Sequence, residues 1–206
     1  TFADPRESSG RPRRERPLAR VRLECRVHSK DIDVVAVGNA LVDLQARVEP
    51  AMLEGVGVAP GFMTLVDAER QRLVLDALEG IPVVASSGGS AANTVAGIAE
   101  LGGRAAYACR VGDDEYGAFY IDDLRRLGVH VRDDRRASGP TGTCVVLITP
   151  DAQRTLLTHL GVSSRLSPDD LEPDVIGRAK WLYVEGYLLP GDGRDAALAA
   201  IGLAKE

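Results

Sequence analysis

The stretch PVVASSGGSAANTVAGIAELGGRAAYACRVGDDEYGAFYIDDLRRLGVHV, residues 82–131, decides the fold class. Residues 82–85 are a short apolar, β-branched run that reads as a strand, and Ser86-Ser87-Gly88-Gly89 reads as a tight turn. Residues 90–101 repeat Ala91, Val95 and Ile98 on one stripe, as an amphipathic helix does. Gly102-Gly103 stops that helix, and residues 104–109 read as a second strand. A second helix is predicted over 114–127, with Tyr116, Tyr120, Leu124 and Leu127 on one face; Gly128 closes it and a strand follows over 129–131. Strand and helix alternating with short links predict right-handed crossovers and a mainly parallel sheet.

Upstream, residues 32–37 form a buried first strand that ends at Gly38. Residues 45–66 hold Pro50, Gly55, Gly57, Pro60 and Gly61, which predicts short strands and turns rather than a helix. Asp67 offers an N-cap to a helix reaching Leu78. Downstream, residues 143–149 and 154–160 flank the turn Pro150-Asp151-Ala152-Gln153, a hairpin signal beside the main sheet. A helix over 174–180, a buried strand over 181–184 and a helix from 192 running through Glu206 complete the reading. Tyr187 is taken as a packing residue.

The chain has 206 residues, 45% of them apolar and 27% charged, which suits one globular α/β domain. No apolar run is long enough to span a bilayer, and no membrane partner is expected. Cys25, Cys109 and Cys144 are far apart and form no C-x-x-C pair, so no metal site is indicated and a reducing cytoplasm is the expected setting. Residues 1–30 carry nine Lys/Arg against four Asp/Glu inside a chain of net charge −5. Their basic run has no aromatics for base stacking, so it reads as a disordered extension rather than a nucleic-acid arm.

Two clusters could carry chemistry. The first is Ser87-Gly88-Gly89-Ser90-Ala91-Ala92-Asn93-Thr94 at a strand-to-helix turn. Glycines let the backbone approach a ligand, the helix start offers unpaired N–H groups, and Asn93 can both donate and accept. Close helix–sheet packing explains the same small residues equally well. The second is Gly38-Asn39-Ala40-Leu41-Val42-Asp43, just after the first strand, where open α/β sheets bind ligands. A carboxylate such as Asp43 can accept hydrogen bonds from two neighbouring hydroxyls; a plain turn made by Asn39 and Asp43 is the alternative. There is no P-loop motif and no G-x-G-x-x-G, and His28, His130 and His159 fit neither a hydrolase triad nor a zinc motif.

Together these pieces resemble the PfkB, or ribokinase-like, family of carbohydrate and nucleoside kinases, most of all its adenosine kinase-like branch. Gly88-Gly89-Ser90-Ala91-Ala92-Asn93, Gly102 and Gly112 are similar to the family's first signature, with Val95 where a small residue is usual. Val111-Gly112-Asp113-Asp114 with Gly117 resembles its V-G-x-D-x-x-G stretch, and Pro140-Thr141-Gly142-Thr143-Cys144 resembles a lid strand. The resemblance covers about residues 32–190. It implies an α/β, three-layer ribokinase-like domain over 31–206, with a mainly parallel sheet and a small β lid from about 45–66 and 138–160, incomplete at the carboxyl end. It implies ATP and Mg²⁺ as cofactors and a sugar or nucleoside hydroxyl as phosphate acceptor. It further implies substrate contacts from Asn39, Asp43, Gly88, Gly89, Ser90 and Asn93, with Thr143 or Cys144 on the lid side.

The family's catalytic base lies in a G-A-G-D motif, and an Asn-x-x-Glu motif serves Mg²⁺ and phosphate. Neither occurs in these residues, so no catalytic residue is assigned, and binding without phosphoryl transfer is expected of this chain alone. Asp113 and Asp114 read as a helix cap rather than a replacement base. Uncovered sheet and helix surface would favour aggregation or a homodimer. Nucleosides such as adenosine fit the Asn39–Asp43 spacing, while ribose and fructose stay open.

Overall fold

Four parallel strands form the central sheet in the computed structural model, which describes residues 30–205; the expected extension over 1–30 lies outside them apart from Lys30. They are β1 (Ile32–Val37), β5 (Ala105–Ala108), β6 (His130–Val131) and β9 (Ala179–Val184), in the order β6-β5-β1-β9. Alternation along them sends side chains into two apolar layers. Ala36, Ala105 and Tyr107 meet α3 (Ser90–Glu100) and α4 (Glu115–Arg126) through Ala91, Ala92, Val95, Tyr120, Ile121 and Leu124. Val35, Val37 and Ala106 face the other way, onto Ile176 of α5 (Pro173–Gly177) and Ala196, Ala197 and Ala200 of α6 (Arg194–Leu203). This is the α/β/α sandwich, and Val95 is accommodated fully buried in it.

A second sheet stands beside the first, built from β2 (Leu41–Arg47), β3 (Met63–Leu65), β4 (Val83–Gly88), β7 (Gly142–Ile148) and β8 (Arg154–His159), in the order β3-β8-β7-β2-β4. Val42, Leu44, Ala46, Val145, Leu147 and Leu157 bury one face of it, together with Leu53 of α1 (Pro50–Gly55) and Val74 of α2 (Ala68–Ala77). The opposite face carries Asp43, Ser86, Cys144 and Thr158, which lie level with one another by strand register. The hairpin of β7 and β8 turns through Ala152, at φ +64°.

Several expectations need correction. The strand expected over 82–85 is β4, which does not join the parallel sheet; it runs antiparallel to β2 at the edge of the small sheet. Val83 and Val84 are 42% and 65% exposed, whereas a strand inside a helix-covered parallel sheet would be buried on both faces. The stretch 45–66 contains a helix after all, because Pro50 sits at its first turn, where a missing N–H costs nothing. The small sheet also begins earlier than expected, at Leu41. The strand over 181–184 starts at Ala179, cutting the preceding helix short at Gly177, and is not wholly buried: Trp181 is 73% exposed. Tyr187 is exposed rather than packed, and the last helix ends at Leu203.

Candidate functional site

The two stretches marked in the sequence meet where β1 gives way to β2 and β4 gives way to α3. A Cβ on Gly88 would lie 2.4 Å from the Asp43 carboxyl carbon, so the carboxylate rests directly on the glycine backbone. Gly89 has φ +99°, and a Cβ there would sit 2.6 Å from the Asn39 carbonyl oxygen. The two glycines therefore serve different neighbours: one makes room for a functional side chain, the other for the adjoining backbone. Two buried phenols brace the same backbone. Tyr107 donates to the Asn39 carbonyl and Tyr120 to the Gly88 carbonyl, both at 2.9 Å. Burial pushes both phenols far above their ordinary range, so they remain donors.

Asp43 lies inside β2 rather than in a turn, between Ser86 on β4 and Cys144 on β7. Its carboxylate is half-buried and has no hydrogen-bond partner among the described residues. Burial raises its pKa, with a smaller opposing pull from Arg154. Asn93, one turn into α3, is exposed; its backbone N–H donates to the Gly89 carbonyl and its side-chain amide is without a partner among the described residues. A half-buried carboxylate without a hydrogen-bond partner among the described residues suits a ligand that brings hydroxyl donors.

Asn39 and Ser90 are committed to a residue that sequence reasoning missed. The Asn39 backbone N–H and its side-chain Nδ2 donate to Glu185 Oε1 at 2.6 and 2.8 Å. Ser90 Oγ and the Ala91 N–H donate to Glu185 Oε2 at 2.8 and 3.3 Å. Gly38 makes this contact fit, since a Cβ there would come within 2.7 Å of the carboxylate. The signal was present: Glu185 follows a parallel strand directly, the position that marked Asn39.

Thr143 and Cys144 part company. Cys144 lies on the Asp43 face, its Sγ accepting from Thr158 Oγ1 at 3.2 Å, and burial pushes its thiol up to about 11. Thr143 lies on the opposite face, donating to Gln71 Oε1 of α2 at 2.6 Å, so it does not belong to the site. Strand alternation requires this once Asp43 and Cys144 share a register position. Asp114 caps α4 through the Gly117 N–H at 2.8 Å and accepts from the Thr141 N–H and Oγ1 at 2.8 and 2.6 Å, which ties the α4 start to the root of β7. Asp113 takes no part in that cap. Among the described residues, no three His, Cys, Asp or Glu side chains converge to hold a metal ion. The described residues do not form a Mg²⁺ site.

Residues 63–206 match the pfkB family of carbohydrate kinases. The chain is 30% identical over 164 residues to an adenosine kinase of Saccharomyces cerevisiae, covering 76% of this chain and 48% of that one. It superposes on the adenosine kinase of Sinorhizobium meliloti with a TM-score of 0.77 at 39% identity, over 85% of this chain and 54% of that one. A probable sugar kinase from Rhizobium etli gives a TM-score of 0.79 at 38% identity, over 85% and 53%. The chain thus spans about half the length of the curated relatives it matches. The match over 63–206, joined to the layered sheet and its small β lid, places this chain in the pfkB carbohydrate kinase family.

Proposed function

We propose that Asp43, the Gly88-Gly89 backbone and Asn93 grip neighbouring hydroxyls of a sugar or nucleoside. On this reading they form the acceptor side of an ATP-dependent phosphotransferase that acts on an alcohol group. One observation carries the reading: a half-buried carboxylate with no hydrogen-bond partner among the described residues, seated on a glycine that leaves no room for a side chain. Partial burial without a partner is costly to the ionised form, and two hydroxyl donors from a ligand would repay that cost. Adenosine and simple sugars are the first substrate candidates, since the relatives include adenosine kinases and a probable sugar kinase.

These 206 residues contain no G-A-G-D motif, which favours binding without transfer by this chain alone. ATP and Mg²⁺ would then be held by residues outside it. Cys109 and Cys144 are free thiols, consistent with the cytoplasm as the proposed compartment. No helix among the described residues is long and apolar enough to cross a membrane.

Calorimetric titration with adenosine, D-ribose and D-fructose tests the grip. At least one should bind, and Asp43→Ala should weaken it by at least about 100-fold, from losing two charge-assisted hydrogen bonds of roughly 1.5–3 kcal/mol each. Equal affinity in the two proteins would remove Asp43 from the site. ATP turnover by this chain above that of Asp43→Ala would contradict binding without transfer.

A further inference from the structure

We infer that Glu185 is the positioning residue of this site, and that it fixes the orientation of Asn39 and the hydrogen-bond polarity of Ser90. The inference rests on reading the Asp43 site as a hydroxyl grip. Glu185 is 3% exposed, and both carboxylate oxygens are occupied by donors of this chain. Its backbone N–H donates to the Val37 carbonyl at 3.3 Å, continuing the pairing of β9 with β1. It therefore locks three separate pieces together: the end of β9, the link after β1 and the first turn of α3.

The chemistry of the donors gives the lock a direction. A carboxylate only accepts, so the Asn39 amide must turn Nδ2 towards Glu185, which leaves Oδ1 as the outward, accepting end. Ser90 spends its single proton on Glu185 and retains only lone pairs for any other partner. Ser90, which could donate or accept, becomes an acceptor, and Asn39 presents Oδ1 while one N–H of its amide stays uncommitted. A ligand group that meets Ser90 must bring a donor, as the hydroxyls of a polyol do. Glu185 thereby selects for hydroxyl-bearing ligands through its neighbours, without touching the ligand itself.

Glu185→Gln tests this with nearly unchanged shape. Its carbonyl oxygen can still serve the two Asn39 donors, while its NH₂ would donate to Ser90, free the Ser90 proton and leave the Ala91 N–H without its acceptor. Adenosine and D-fructose are titrated into wild type, Glu185→Gln, Ser90→Ala and the double variant. The expected result is about a tenfold loss for Glu185→Gln, with a double variant no weaker than the weaker single one, because the two act on one element. Wild-type affinity in Glu185→Gln, or losses that add in full, would overturn the inference.

A ligand-free measurement keeps the two readings separable. The Asn39 side-chain NH₂ protons, followed by nitrogen-15 NMR, should exchange with solvent far more slowly than those of the exposed Asn93. Equal exchange would overturn the positioning role whatever binds. Slow exchange together with an Asp43→Ala variant of unchanged affinity would instead uphold the lock and reject the hydroxyl grip.

Discussion

Replacing Gly88 by Ala adds one methyl at the point where the site is most crowded. An ideal Cβ would stand 2.4 Å from the Asp43 carboxyl carbon and 2.5 Å from each of its oxygens. Ordinary contact begins near 3.4 Å, so the carboxylate must retreat by about 1 Å or β4 must move outward. β4 lies at the sheet edge and is half exposed, so overpacking there should cost only about 1–2 kcal/mol of stability and leave the fold intact. Ligand affinity should suffer far more. A carboxylate displaced by 1 Å loses hydrogen bonds that together stabilise the complex by roughly 3 kcal/mol, a weakening of about 100-fold. The assay is calorimetric titration with adenosine and D-fructose, paired with thermal melts of the same samples. Gly97→Ala is the control: nothing lies within 4 Å of its Cβ, and the change should stabilise α3 by about 0.5–1 kcal/mol with affinity untouched. Unchanged affinity in Gly88→Ala would refute the claim that the glycine exists to seat the carboxylate.

Asp114→Ala removes a helix cap and orphans donors of Gly117 and Thr141, so chemical denaturation should show a loss of about 2–4 kcal/mol. Thr143→Val should lower the melting temperature by breaking its bond to Gln71 yet leave ligand affinity unchanged, since that side chain faces α2; a tenfold affinity loss would return Thr143 to the site. In acid, two groups should act in the same direction. Asp31 is drawn down to about 2 by its hydrogen bond to Arg178. Asp114 is lowered too: burial pushes upward, but the hydrogen bonds from Thr141 and Gly117 outweigh it. Their stabilisation is complete above the ordinary carboxylate value and is lost as pH falls through the lowered values. Asp43 has the opposite sign, because its raised pKa makes ionisation destabilising as pH rises past it. Melts of Asp114→Asn against pH should therefore show a shallower acid limb than wild type.

The sequence made legible what depends on local chemistry. Asp67 and Asp114 cap α2 and α4 as their positions before apolar-periodic runs predict, whereas the turn read over 86–89 shrinks to Gly89, because β4 continues through Gly88. What escaped depends on partners distant in the chain. Residues 82–85 read as a strand from composition alone, but nothing local says that β4 runs on through Gly88 or that it pairs with β2 instead of joining the parallel sheet. Thr143 and Cys144 are adjacent and equally polar in outline, and only the register with Asp43 decides which one faces the site. Glu185 stands 146 residues from Asn39, and its role becomes visible only when β9 is laid beside β1. Its position after an apolar strand could have marked it; its four donors could not have been foreseen.

The claim that Asp43 clasps neighbouring hydroxyls is tested most directly by deleting the two partners separately and together. Wild type and Asp43→Ala are each titrated with adenosine and with 2′,3′-dideoxyadenosine, which lacks both ring hydroxyls. The account predicts that wild type prefers adenosine by about 100-fold and that Asp43→Ala binds the two nucleosides alike. A preference that survives intact without the carboxylate would show that other groups hold those hydroxyls.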